Sequence, residues 1–334
     1  MTHYKLRLSL TALYVLIAGL AVAGESYDHY FIGNEADVVT RTTGLLVLQG
    51  GGTDVDENYV RMGARSGGGD FVVIRTRGGD AYNSYIFDLC SCDSVETLVI
   101  KNREASSDPF VIGRIRNAEA LWIAGGDQSN YVRFWKGTPV EDAIHHVASK
   151  PAPIGGTSAG MAILSEFSYG AMSDSSLTSE EGLADPYHED VTLERDFLML
   201  PKLKGILTDQ HLKERDRIGR TIALLARLVQ EGWTREGKAI AADRETALHV
   251  NPVDGTAEVF STPKHPTPYV YFLRTTGSAE VCRPNLPLTY REISVYRIRP
   301  GGKFDLDSWS GSGGIAYTLT ARTGVLSSSR KEIY

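Results

Sequence analysis

The chain has 334 residues, 42% hydrophobic and 23% charged, which fits one large or two modest globular domains. Its formal net charge is −6 and it carries no long basic run, which argues against a nucleic-acid binder.

The N-terminus reads as a secretory signal over residues 1–23. Lys5 and Arg7 precede the apolar stretch "LSLTALYVLIAGLAVAG", and Ala21-Val22-Ala23 offers a cleavage site after Ala23. The apolar run is ~15 residues, short for a ~30 Å hydrocarbon core. The expectation is a secreted or periplasmic protein with no stable membrane insertion after cleavage. Residues 24–334 then form a single α/β domain.

"TGLLVLQGGGTD" (43–54) is a short apolar run ended by three glycines, as expected of a buried strand meeting a loop. "DFVVIRTRGGD" (70–80), "VETLVI" (95–100) and "ALWIAGGD" (120–127) repeat the pattern. "AYNSYIFDL" and "PFVIGRIRNA" between them have helical character, as does "TPVEDAIHHVAS" later. Apolar strands alternating with helices predict a mostly parallel sheet covered on both faces. Residues 170–200 are rich in Ser, Asp and Glu and read as a surface excursion, a lid or rim. "RIGRTIALLARLVQEG" (217–232) is an amphipathic helix, and "KAIAADRETALHV" returns to strands. The core is expected over about 43–258, with a β-rich extension over 259–334.

Cys90, Cys92 and Cys282 are the three cysteines. In an exported chain Cys282 can pair with Cys90 or Cys92, because two cysteines on one strand two residues apart share a face without being an easy pair, and three unpaired thiols are the equal alternative. No metal-ligand spacing is visible, and no cofactor is expected.

The chemistry concentrates in "PIGGTSAGMAILS" (153–165). No Lys follows the glycines, so a phosphate loop is excluded. Gly156-Thr157-Ser158-Ala159-Gly160 fits G-x-S-x-G, a sharp strand-to-helix turn that exposes a nucleophilic serine. The plainer alternative is a turn with Ser158 as a cap. In the elbow reading, the Ala159 N–H and the start of the next helix stabilise an oxyanion.

Ser158 needs a base. Among His29, His145, His146, His188, His211, His249 and His265, His211 stands out in "GILTDQHLKERDRIGR", at the carboxyl edge of a strand. Arg215, Arg217 and Arg220 follow it and suit a carboxylate ligand. In "AGGDQ" (124–128), Gly125-Gly126 allows close backbone approach and Gln128 offers a hydrogen bond to substrate.

"GGDQ", "GGTSAG" and "TDQHLKERDRIGR", in that order and spacing, resemble the cyanophycinase family, serine peptidases related to dipeptidase E on a class I glutamine amidotransferase-like fold. The resemblance implies Ser158 as nucleophile and His211 as general base and then acid. It implies an oxyanion hole from Ala159 and Gly126 or Asp127. Gln128 and the arginines would contact the substrate, a β-linked aspartyl peptide such as cyanophycin. It also implies a homodimer. One departure stands out. The family's strand reads Asp-Glu-x-Thr-Ala, whereas this chain has Arg244 at the Glu position, flanked by Asp243 and Glu245. On a strand both would face away from the Arg244 side, so Asp243 and Glu245 are candidate triad acids only through a bulge or shifted register. Asp209 is a further substitute.

Two other readings remain. An α/β-hydrolase esterase would use Ser158, Asp243 and His249 in that chain order. A secreted peptide-binding pseudoenzyme would follow from Arg244 replacing the acid.

Overall fold

The computed structural model describes residues 26–334; the expected signal segment lies outside the described residues. In chain order the strands are β1 (Tyr27–Gly33), β2 (Leu45–Gln49), β3 (Asp70–Arg75), β4 (Ser94–Ile100), β5 (Ala120–Ile123), β6 (Pro153–Thr157), β7 (Phe167–Tyr169), β8 (Leu193–Arg195), β9 (Ile206–Gln210), β10 (Lys238–Ala242), β11 (Thr246–Val250), β12 (Thr256–Ser261), β13 (Val270–Arg274), β14 (Tyr290–Ile298), β15 (Lys303–Asp305), β16 (Ser310–Ser312), β17 (Ile315–Arg322) and β18 (Val325–Ser328). The helices are α1 (Asp56–Arg65), α2 (Ala81–Cys90), α3 (Pro109–Asn117), α4 (Gln128–Trp135), α5 (Pro139–Ser149), α6 (Ala159–Ala162), α7 (Ser179–Ala184) and α8 (Ile218–Gln230).

Two sheets result. The first runs β1-β4-β3-β5-β6-β2-β11-β12-β15-β16, and its stretch from β4 to β2 is parallel. The second runs β18-β17-β14-β13-β10-β9-β7-β8, with β10, β9 and β7 parallel. The parallel α/β core is the one the alternating pattern predicts. The C-terminal strands continue both sheets as antiparallel partners.

Why these runs are strands follows from where alternate residues go. Leu45 and Val47 of β2, with Phe71 and Val73 of β3, pack among Tyr59, Met62 and Ile86 of α1 and α2. Leu46, Leu48, Val72 and Ile74 face the other way, onto Val111, Ile115 and Ile144 of α3 and α5. Side chains alternate across a strand, so a sheet with both faces covered needs continuous apolar sequence. Each such side chain stabilises the fold by about 1.5–3 kcal/mol relative to exposure. The second sheet repeats the logic: Ile240, Ala242, Val270 and Phe272 join the cluster of Leu46 and Leu48, while Ala239, Ala241, Tyr271 and Leu273 pack under Ile222, Leu225 and Leu228 of α8. The two sheets therefore share a core, and the ends of β2 and β9 meet.

The cysteine expectation is corrected. Cys90 and Cys92 form the disulfide, and Cys282 is a free buried thiol. Cys90 ends α2, and Ser91 takes a left-handed conformation (φ 52°) that turns the chain back. No strand holds the two side chains side by side, so the premise fails. Cys282 lies in a different core cluster from Cys90. No helix among the described residues is long and apolar enough to cross a membrane.

Candidate active site

The site lies at the carboxyl ends of β2, β5, β6 and β9, where open parallel sheets present loops to a ligand. Ser158 follows β6 with φ 53° and ψ −116°, a conformation that non-glycine residues rarely adopt and that the surroundings must hold. Two contacts explain the glycines around it. A Cβ on Gly160 would lie 2.0 Å from the Ile123 carbonyl oxygen, and one on Gly156 2.7 Å from the Gly160 backbone. The turn is sharp because α6 packs directly on β5. α6 is one turn long; it brings the Ala159 N–H to the site rather than the dipole of an extended helix.

Consecutive carbonyls at the end of β2 hold Ser158 and His211. Gln49 O accepts the Ser158 N–H at 3.0 Å, and Gly50 O accepts the His211 N–H at 2.9 Å. His211 leaves β9 with φ 50° and is 7% exposed. Its Nε2 lies 3.0 Å from Ser158 Oγ. Burial is the main reason its pKa is lowered from 6.5, with Arg215 and Arg217 pushing the same way and Glu214 opposing. The imidazole is thus neutral at neutral pH and able to take a proton.

Ser158 opens into a cavity of about 290 Å³ together with Gly126, Asp127, Gln128, Arg215 and Arg217. Arg77 and Ser173 to Ser176 complete its wall, so the polar excursion after residue 170 is a rim of the site. The Tyr131 hydroxyl donates to Ala124 O at 2.8 Å and fixes the loop that carries Gly126. Asp127 caps α4 through the Ser129 N–H. Gln128 Nε2 donates to Tyr169 O at 3.4 Å. Arg217 bonds Gln210 through both its main-chain and side-chain oxygens, and burial lowers its pKa to about 10.

Several expected site residues lie elsewhere. Arg220 is 1% exposed and bound to Asp209, over the Tyr169 ring, outside the cavity. It begins α8 as the buried partner of Asp209, whose other oxygen contacts include the Thr221 hydroxyl. Asp209 is consequently no substitute acid for His211. Asp243 and Glu245 sit in a turn joining β10 of one sheet to β11 of the other, not on a strand. Asp243 accepts the N–H groups of Lys213 (3.1 Å) and Tyr269 (3.3 Å), and burial raises its pKa to about 7. Glu245 bonds Arg244, Thr53 and Thr262. Neither carboxylate contacts the imidazole. His249 is buried against Asn58, with Nε2 to Oδ1 at 2.7 Å, so the Ser158-Asp243-His249 arrangement does not form.

The group that does reach His211 is Glu214, whose Oε1 is 3.5 Å from Nδ1. Sequence reasoning missed it. Its signal was a carboxylate three positions after the histidine in a polar turn. Outside this site, Glu181, His188 and Asp190 bring ligand-type atoms within 4.8 Å of one another. Their atoms are already engaged. Glu181 closes the capping box of α7, the Asp190 N–H donates to His188 Nδ1, and Asp190 accepts the Ser175 hydroxyl at 2.7 Å.

No family model matches the chain. A crystal structure of a peptidase from an acI-B1 actinobacterium superposes with a TM-score of 0.52 at 15% identity, covering 79% of this chain and 98% of that one. The chain therefore has the α/β fold of that protein. In sequence it is 28% identical to the cyanophycinases of Trichormus variabilis and of a Nostoc species over 142 residues, 42% of this chain. The match spans 44% of those relatives, less than half their length. Over that stretch the chain is similar to cyanophycinases.

Proposed function

We propose that the chain is an exported serine-type peptidase acting on acidic, β-linked aspartyl peptides. The observation that carries this reading is the 3.0 Å contact between Ser158 Oγ and the neutral His211 Nε2, at an elbow that opens into a polar cavity. His211 takes the Ser158 hydroxyl proton as Oγ bonds to the peptide carbonyl carbon. The resulting oxyanion is met by the N–H groups of Ala159 and of Gly126 or Asp127. The imidazolium returns its proton to the departing amine as the C–N bond breaks. Water, deprotonated by His211, then releases the acyl group and restores the serine. Arg77, Arg215 and Arg217 in the cavity wall favour a substrate bearing carboxylates.

The test is labelling with a fluorophosphonate, followed by hydrolysis of cyanophycin and of β- and α-aspartyl dipeptides. The expected result is labelling of the wild type, none of Ser158→Ala, and cleavage of β-linked substrates only. A wild type that resists the probe while binding acidic peptides would leave a pseudoenzyme in place of this reading. Cleavage of α-aspartyl substrates alone would remove the β-linked preference.

A further inference from the structure

We infer that Glu214 is the positioning residue for His211, so that the third member of the triad comes from the histidine's own turn. This rests on Ser158 and His211 acting as proposed above.

The first argument is the tautomer. For Nε2 to accept the Ser158 proton, Nδ1 must carry hydrogen, and a buried N–H needs an acceptor. Glu214 Oε1 is the carboxylate at that nitrogen, 3.5 Å away. The attraction between the carboxylate and the ring strengthens as the imidazole gains charge.

The second argument is how the carboxylate is held. The His211 carbonyl accepts the Arg215 N–H at 3.2 Å, closing a compact turn that swings residue 214 back to the ring. The turn is tied to the 243–245 segment at two points. Lys213 N–H donates to Asp243 Oδ1 at 3.1 Å, and Arg244 N–H donates to Glu214 Oε1 at 2.8 Å. Position 244 thus serves the site through its main chain. Its side chain is solvent-exposed and turned to Glu245. Burial pushes the Glu214 carboxyl up, but the His211 bond and main-chain N–H groups outweigh it, and its pKa lies below the ordinary value. Glu214 is therefore ionised at neutral pH.

The third argument is elimination. Asp209, Asp243 and Glu245 each have other partners and none touches the ring.

The experiment uses Glu214→Gln in the full chain, with Glu245→Gln as control. Loss of the orienting charge should lower the labelling rate and kcat by about 10²- to 10⁴-fold with little change in KM or Tm. The acid limb of the rate profile should move to lower pH, because the anion no longer favours the imidazolium. Glu214→Asp should recover part of the rate, and Glu245→Gln should leave the limb in place. A labelling rate within about threefold of wild type and an unmoved limb in Glu214→Gln would overturn the assignment. NMR titration of His211 in the Ser158→Ala background reads the pair without any turnover. A fall in its pKa on Glu214→Gln, when the wild type with Ser158 intact never labels, would retain the pair and reject the peptidase. A labelled wild type with an unmoved His211 pKa would reject Glu214 alone.

Discussion

Gly51 packs against the face of the His211 imidazole with no room for a side chain: a Cβ there would lie 2.2 Å from Nε2 and 2.4 Å from Cε1. The contact sits between the carbonyl that holds His211 and the turn that carries Glu245. The second glycine of the run after β2 is thus part of the site as much as of the fold.

Gly51→Ala should displace the imidazole from Ser158. The backbone there has φ +95°, so alanine is strained as well as crowded. A shift of about 1 Å in a reacting group costs on the order of 10² in rate, and a drop in Tm should accompany it. Labelling at the wild-type rate would show that the ring can move aside without consequence.

The pH profile should reflect the buried histidine. His211 has a pKa below 6.5, mainly through burial. As pH falls through that value the imidazole gains a proton and can no longer accept one from Ser158. kcat/KM should therefore be flat through neutrality and fall on an acid limb below pH 6.5. A limb centred above pH 7 would mean that another group is the base.

His249→Gln separates stability from catalysis. Burial lowers the His249 pKa to about 3, whereas the unfolded ring titrates near 6.5. Below 6.5 the unfolded state binds the extra proton. The stability is therefore complete above that pH and is lost as pH falls toward 3, at about 1.4 kcal/mol per pH unit. The variant should lose that part of the acid sensitivity in urea titrations yet keep its labelling rate. Loss of labelling in a folded His249→Gln protein would revive the esterase reading.

The arginines should divide into two kinds. Asp209→Ala leaves Arg220 charged and buried, and removing one partner of such a pair costs about 3–5 kcal/mol. Arg215 is exposed at the cavity wall, so Arg215→Ala should change stability by no more than about 0.5 kcal/mol while raising KM for acidic peptides. Equal effects of the two substitutions on Tm would contradict this division.

Much of this was legible in one dimension. The apolar runs at 45–49 and 70–75 predicted doubly covered strands because burial on both faces removes any polar alternation. G-x-S-x-G and the histidine after β9 were readable because a nucleophile elbow and a strand end impose small residues and a break in periodicity. Misplacements arose where a short segment was given the wrong local geometry. Asp243 to Glu245 follow an apolar run that reads as strand, but they turn between two sheets. The spacing of Cys90 and Cys92 suits strand neighbours, but a left-handed Ser91 brings them together.

The sequence by itself determined the alternation of strands and helices and the candidate Ser158 and His211, because periodicity and tight turns depend on neighbouring residues. Only the tertiary structure decided which carboxylate stands beside His211. Asp209, Glu214, Asp243 and Glu245 have similar sequence credentials, and what separates them is direction: Arg220 and Thr221 take Asp209, Arg244, Thr53 and Thr262 take Glu245, and the main-chain N–H groups of Lys213 and Tyr269 take Asp243. Arg244 N–H, thirty positions from Glu214, holds the one that faces the ring. Arg220 was assigned the same way, as its partner Asp209 lies on β9 and its guanidinium points into the core rather than the cavity.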